Sequence, residues 1–151
     1  MLVQGMYTVD LPISIVWKHI LDRAILEEVI PGVSQLIEVE PNVYDAISKI
    51  KLGPVQGSFK GRLHVQGIKA TESFVLSLTQ NSSIGSVQAD ITVTLRQESD
   101  QTVINYAGNA NLTGVLGRLG QRVLGGVVHS LANQFFNDFE KKIKKLTENH
   151  Y

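Results

Sequence analysis

The side chains best suited to chemistry are thinly spread along this chain. His19, His64, His129 and His150 include no pair at metal-ligand spacing, and no H-E-x-x-H occurs. His64 falls on the outward face of a strand pattern, His129 lies off the main stripe of a helix pattern, and His150 is at the terminus. There is no cysteine, which removes disulfides, cysteine-ligated zinc, iron–sulfur clusters and thiol catalysis. Serines are plentiful, yet none sits in G-x-S-x-G. The acidic pairs Glu27-Glu28 and Glu38/Glu40 read as solvated faces. No nucleophile stands with a base and an orienting group. The expectation is a protein without catalytic residues, metal or cofactor.

Two glycine-rich stretches raise the question of phosphate binding. "GPVQGSFKG" (53–61) lacks the G-K-[ST] ending of a phosphate loop, and no helix pattern follows it. Gly57, Phe59 and Gly61 instead alternate inward, so the stretch reads as a strand that bends, with Gly53-Pro54 as the turn before it. "GVLGRLGQR" (114–122) opens a helix, where free N–H groups attract anions and Arg118 and Arg122 are near. Its spacing is not G-x-G-x-x-G, and no parallel strand follows to complete a nucleotide-binding unit. Two readings of these glycines stay open: close packing of a helix on a sheet, or a flexing gate prolonged by Gly125 and Gly126.

The elements that must position such residues follow from hydrophobic periodicity. A strand over Leu2–Val9 puts Val3, Gly5, Tyr7 and Val9 on one face. Pro12 and Ser14 suit a helix start, with Ser14 a candidate N-cap, and a second short helix over Ala24–Val29 stops at "IPGV". From Val33 to Leu112 the period is two, giving about six consecutive half-buried strands. Their inward sets include Ile37 and Val39; Tyr44, Ala46 and Ile50; Phe59, Gly61, Leu63, Val65 and Gly67; Phe74 and Leu76; Ala89 and Ile91; Tyr106 and Gly108. "QNSSIG" (80–85) and "QESDQT" (97–102) read as turns between them. One long helix over Val115–Leu146 closes the pattern, with Leu116, Leu119, Val123, Val127, Leu131, Phe135, Phe139 and Ile143 in one stripe. A sheet with one apolar face and a helix with one apolar stripe bury each other. The fold class is therefore α+β: a curved antiparallel sheet of about seven strands around a long C-terminal helix, with two short helices after the first strand. At 151 residues, one domain over 1–151 is expected.

Composition narrows the partners. Lys+Arg and Asp+Glu balance at 14 each, so the basic excess that marks nucleic-acid binding is missing. The start "MLVQGMYTVD" lacks the features of a signal peptide, and no apolar run nears the roughly 20 residues of a membrane span. A cytoplasmic location is expected. "EKKIKKL" (140–146) places four lysines where they complement a helix C-terminus, with weak attraction to anionic lipid as the other reading.

The motifs "IPGV", "GPVQGSFKG", "LGRLGQR" and "FFNDFE", in this order from Gly5 to Glu140, resemble the carbon monoxide dehydrogenase G-subunit family of the START-like (SRPBCC) superfamily. The resemblance implies a helix-grip fold with an apolar cavity between sheet and helix. It implies an association with molybdenum-containing carbon monoxide dehydrogenases. The roles suggested for that family are membrane recruitment and the binding of a quinone or lipid that links the enzyme to the respiratory chain. On this basis the expected ligand is a hydrophobic small molecule. The expected walls are Phe59, Leu63, Phe74, Leu76, Ile91, Tyr106, Leu116, Leu119, Val123 and Val127, with the Tyr106 hydroxyl available to a polar head. The alternatives are an accessory protein docking such an oxidoreductase at the inner face of the membrane, and a small enzyme acting on a hydrophobic substrate.

Overall fold

The computed structural model describes residues 1–148. Strand β1 (Leu2–Val9) is followed by helices α1 (Ile13–Ile20) and α2 (Arg23–Val29). Six strands come next: β2 (Val33–Glu40), β3 (Val43–Leu52), β4 (Val55–Lys69), β5 (Ser73–Ser82), β6 (Gly85–Glu98) and β7 (Gln101–Leu112). Helices α3 (Gly114–Arg118) and α4 (Gly120–Glu148) complete the chain. The strands form one seven-stranded antiparallel sheet in the order β1-β7-β6-β5-β4-β3-β2. Helices α1 and α2 therefore carry the chain from one edge of the sheet to the other. No helix among the described residues is long and apolar enough to cross a membrane.

The sheet bends where the glycines stand. A Cβ on Gly61 would lie 1.8 Å from the Thr79 carbonyl oxygen, and one on Gly108 would lie 2.0 Å from that of Asp90. The neighbouring backbone occupies the place of a side chain there, so only glycine permits this coiling. Gly53, at φ +55°, turns β3 into β4. Gly67 departs from the expected inward face. It is exposed, has φ +59°, and sits in the register shift between Gln66 and Lys69, where a bulge breaks the alternation.

Several local expectations are corrected. Ser14 does not cap α1. The helix begins at Ile13, the Pro12 carbonyl accepts from Ile15 and Val16, and the Ile13 N–H donates to Gln97 Oε1 at 2.7 Å. Helix α2 starts at Arg23 because Asp22 caps it, accepting from the Ile25 N–H. On β2 the inward residue is Leu36, while Ile37 and Val39 are 53% and 41% exposed. Pairing of Leu36 with Ala46, between two register shifts, sets that phase, and a shift of one residue exchanges the faces of a strand. Glu27 is more than a solvated acid: it accepts from the Leu36 N–H at 2.8 Å and pairs with Arg23, fastening α2 to β2.

The long helix is interrupted. Leu119 separates α3 from α4, and Gly120 has φ +85°, which ends the first run of helical turns. Beyond the break the apolar face is set by Leu124, Val127, Phe136, Phe139 and Ile143. Lys142 pairs with Glu28 at 3.0 Å, and Lys144 with Asp10 at 3.5 Å, tying the far end of α4 to α2 and to the turn before α1. Those two lysines are therefore partly engaged, while Lys141 and Lys145 are exposed. His150 lies outside the described residues.

The core is divided. The largest cluster joins α1, α2 and the C-terminal half of α4 to the sheet through residues such as Val16, Leu36, Phe74, Ile104, Phe139 and Ile143. A second gathers Val55, Phe59, Leu116, Leu124 and Val127 under α3 and the start of α4. A third, small one contains Val3, Ala89 and Ala110.

Candidate ligand site on the concave face

Strand pairing places the inward side chains in rows. One row runs Ala46–Gly61–Gln80–Val87–Leu112 across β3 to β7. The next runs Tyr44–Leu63–Leu78–Ala89–Ala110, and the one after it Val65–Leu76–Ile91–Gly108–Val3. Ala46, Gly61, Ala89, Ala110 and Gly108 make the middle of the floor shallow. Larger residues stand around it, Val128 of α4 packs over Ala89 and Ala110, and α3 lies over the neighbouring Val55 and Phe59.

The expected wall residues divide between the clusters. Phe59, Leu116 and Val127 are buried together beneath the helix start, with Leu119 packed against them. Leu63, Leu76, Ile91 and Tyr106 surround the cluster that contains Phe74. Val123 is misplaced by the periodicity: it is 40% exposed, and Leu124 is the buried neighbour. The exception is local: Val127, Phe139 and Ile143 of the same stripe are buried as the periodicity predicts, and only just after the break at Leu119 does Leu124 take the inward place of Val123.

Tyr106 is inward, as its alternation predicts. Its ring crosses Gly5 on the paired strand, where an added Cβ would lie 2.2 Å from Oη. It stacks on Phe136 at a centroid distance of 6.1 Å. Phe136 in turn stacks on Tyr7, whose hydroxyl bonds Asn137. Burial pushes the Tyr106 hydroxyl above the ordinary phenol value of 10.0. A cleft of about 170 Å³ opens beside it, between β1 and α4, and is bordered by Met1–Gln4, Gln121, Gly125, Val128 and His129. Gln121 crosses the cleft to donate to the Leu2 carbonyl at 2.9 Å. His129 is exposed and its Nε2 pairs with the Asn133 amide at 3.1 Å, so it is held as a surface residue. His64 is exposed on the outer face. Among the described residues no group of three or more His, Cys, Asp or Glu is placed to hold a metal.

The residue that sequence reading missed is Gln80. Strand β5 continues to Ser82, so Gln80 is not in a turn: it points inward at 7% exposure. Its Nε2 is enclosed and has no hydrogen-bond partner. The signal was present, since Gln80 continues the alternation of Phe74, Leu76 and Leu78. Polarity argued for a turn; strand pairing to Gly61 and Val87 overrode it. Thr102 repeats the pattern at the other supposed turn, fully buried with its hydroxyl donating to the Leu11 carbonyl at 2.8 Å.

A strongly curved antiparallel sheet closed over a long C-terminal helix, with small residues on its floor, is the helix-grip architecture. A START superfamily protein from Mycobacterium smegmatis has this fold, with TM-score 0.73 and 8% identity over 96% of this chain and 98% of that one. A Zhui aromatase/cyclase from a Streptomyces species has TM-score 0.66 and 11% identity over 96% and 94%. A conserved protein from Geobacillus kaustophilus is much nearer, with TM-score 0.92 and 27% identity over 96% of both chains. The family model for the carbon monoxide dehydrogenase G-subunit (CoxG) matches residues 5–144, and the chain belongs to that family. No match is found among curated proteins.

Proposed function

We propose that this protein is a non-catalytic carrier of a hydrophobic small molecule, either a quinone or a lipid with a fatty-acid-like chain. The ligand lies between the concave face of the sheet and the segment α3–α4. The setting we propose is service to carbon monoxide dehydrogenase or a related molybdenum hydroxylase, in the cytoplasm, with peripheral contact at the inner face of the membrane. Family membership and a fold generally used to hold hydrophobic ligands support this reading. The observation that carries it is the shallow floor of Ala46, Gly61, Ala89, Gly108 and Ala110, crossed by α4 at Val128, next to a helix start interrupted at Leu119–Gly120. Room above a small-residue floor depends only on the helix standing away from it. Burying about 300 Å² of apolar ligand surface is worth roughly 7 kcal/mol before the cost of association, enough for micromolar binding without a charged contact.

Native mass spectrometry of the purified protein, with organic extraction of what dissociates, tests the proposal. The expected result is a bound quinone or acyl chain, or thermal stabilisation on adding menaquinone or a fatty acid. A protein that is empty and unmoved by both probes refutes the carrier role and leaves docking of the oxidoreductase as the better account.

A further inference from the structure

Gln80 is a polar side chain that the packing alone does not explain. It stands on the inner face with Gly61 on one side and Val87 on the other. Glycine offers it no side chain, and valine no acceptor. Its Nε2 is shut away from solvent without a partner. A buried donor left unpaired is costly, and leucine or methionine would fill the same place without that cost. Such an orphan calls for an acceptor that arrives from elsewhere.

The surrounding chain can admit one. Val87 and Ile84, from the β5–β6 hairpin, pack on the cluster of Phe59, Leu116 and Leu124. Helix α3 is tied to the same hairpin as far as Leu116, whose N–H donates to the Ile84 carbonyl at 3.1 Å, while Thr113 before it donates from its N–H to the Ser86 carbonyl at 3.1 Å and its hydroxyl oxygen accepts from the Ser86 N–H at 3.0 Å. It then breaks at Leu119, before a helix start that contains Gly120, Gly125 and Gly126. Val87 is the strand partner of Gln80, so movement of the segment that packs on Val87 loosens the enclosure beside it.

We infer that Gln80 donates a hydrogen bond from Nε2 to a carbonyl oxygen of the bound ligand, making an acceptor oxygen on an otherwise apolar frame the ligand's recognised feature. This rests on the reading of the concave face as a ligand site and adds what that site selects. Tyr106 lies three rows away on the same face, beside the lateral cleft, so the two groups mark different ends of the enclosed space.

The test uses 1-tetralone and tetralin, the same ring frame with and without a carbonyl oxygen. Their dissociation constants are measured on the wild-type protein and on Gln80→Met, which keeps the volume and removes the donor. The expected result is a fall of about tenfold in the ketone-to-hydrocarbon preference, the worth of one enclosed neutral hydrogen bond. The carbonyl stretch of bound 1-tetralone, lowered in the wild type, returns toward its value in hydrocarbon solvent in the variant. A merely structural role for Gln80 does not move that band. If both probes bind and neither preference nor band changes, the inference is overturned and the carrier reading stands. If the wild-type protein binds neither probe, the inference is overturned, and the carrier reading is decided separately by its menaquinone and fatty-acid test.

Discussion

Gly5 and Tyr106 show how a single pair of residues shapes the inner face. The phenol ring fills the place of a Cβ at Gly5, so Gly5→Ala forces it aside and costs roughly 1–3 kcal/mol in chemical denaturation. In a Tyr106→Ala background the same change costs far less, and the double-mutant cycle reports the coupling. Gly61→Ala has no such rescue, because backbone rather than a side chain blocks the added methyl. The tyrosines also give a pH dependence. Tyr7, Tyr44 and Tyr106 are all raised from 10.0 by burial, with Glu140 adding to the rise at Tyr7 and Glu38 at Tyr44. A raised folded value means that the native state keeps its phenolic protons longer than the unfolded chain. Their contribution is complete below pH 10.0 and is lost as pH rises through the folded values. Urea unfolding across this range is expected to show a falling stability, with a shallower fall in Tyr106→Phe.

At the level of elements, the interrupted helix is the feature that periodicity handled least well. The residues Leu116, Leu119, Val123 and Val127 do fit a stripe, but Leu119 and Gly120 take the chain out of one helix and into another. Leu124→Ala is therefore expected to cost about 2–5 kcal/mol, while Val123→Ala stays within about 0.5 kcal/mol, as read by thermal or denaturant unfolding. The glycines of this segment separate in the same way. A Cβ at Gly125 or Gly126 meets nothing within 4 Å, so alanine there is expected to stabilise by about 1 kcal/mol each. Gly120 also has open space, yet its φ of +85° makes alanine unfavourable by roughly 1–2 kcal/mol. If the helix start is the gate, Gly125→Ala with Gly126→Ala also slows ligand exchange without weakening the sheet.

Across the whole molecule the core is uneven, and stability should follow it. The half of α4 beyond Leu131 is held by Phe136, Phe139 and Ile143 and by the Lys142–Glu28 and Lys144–Asp10 pairs. The segment 114–131 rests on the smaller cluster over a shallow floor. Native-state hydrogen exchange is expected to open 114–131 at a lower free energy than 132–148, with the difference reduced by bound ligand. Much of this architecture was legible in the residues. Alternation from Tyr44 to Leu112 reported which side chains share a face, and the motifs from "IPGV" to "FFNDFE" carried the family. Periodicity is a local property, however, and reports neither which face a neighbour will cover nor where a strand stops. The inward face of β2 was decided by the pairing of Leu36 with Ala46 between two register shifts. The burial of Gln80 and Thr102 was decided by strands that kept pairing past residues whose polarity suggested turns. The sequence by itself determined the order of elements, the curvature through Gly61 and Gly108, and the family. Only tertiary structure decided the inward face of β2 and the enclosed donor at the foot of the site, because both depend on contacts between segments far apart in the chain.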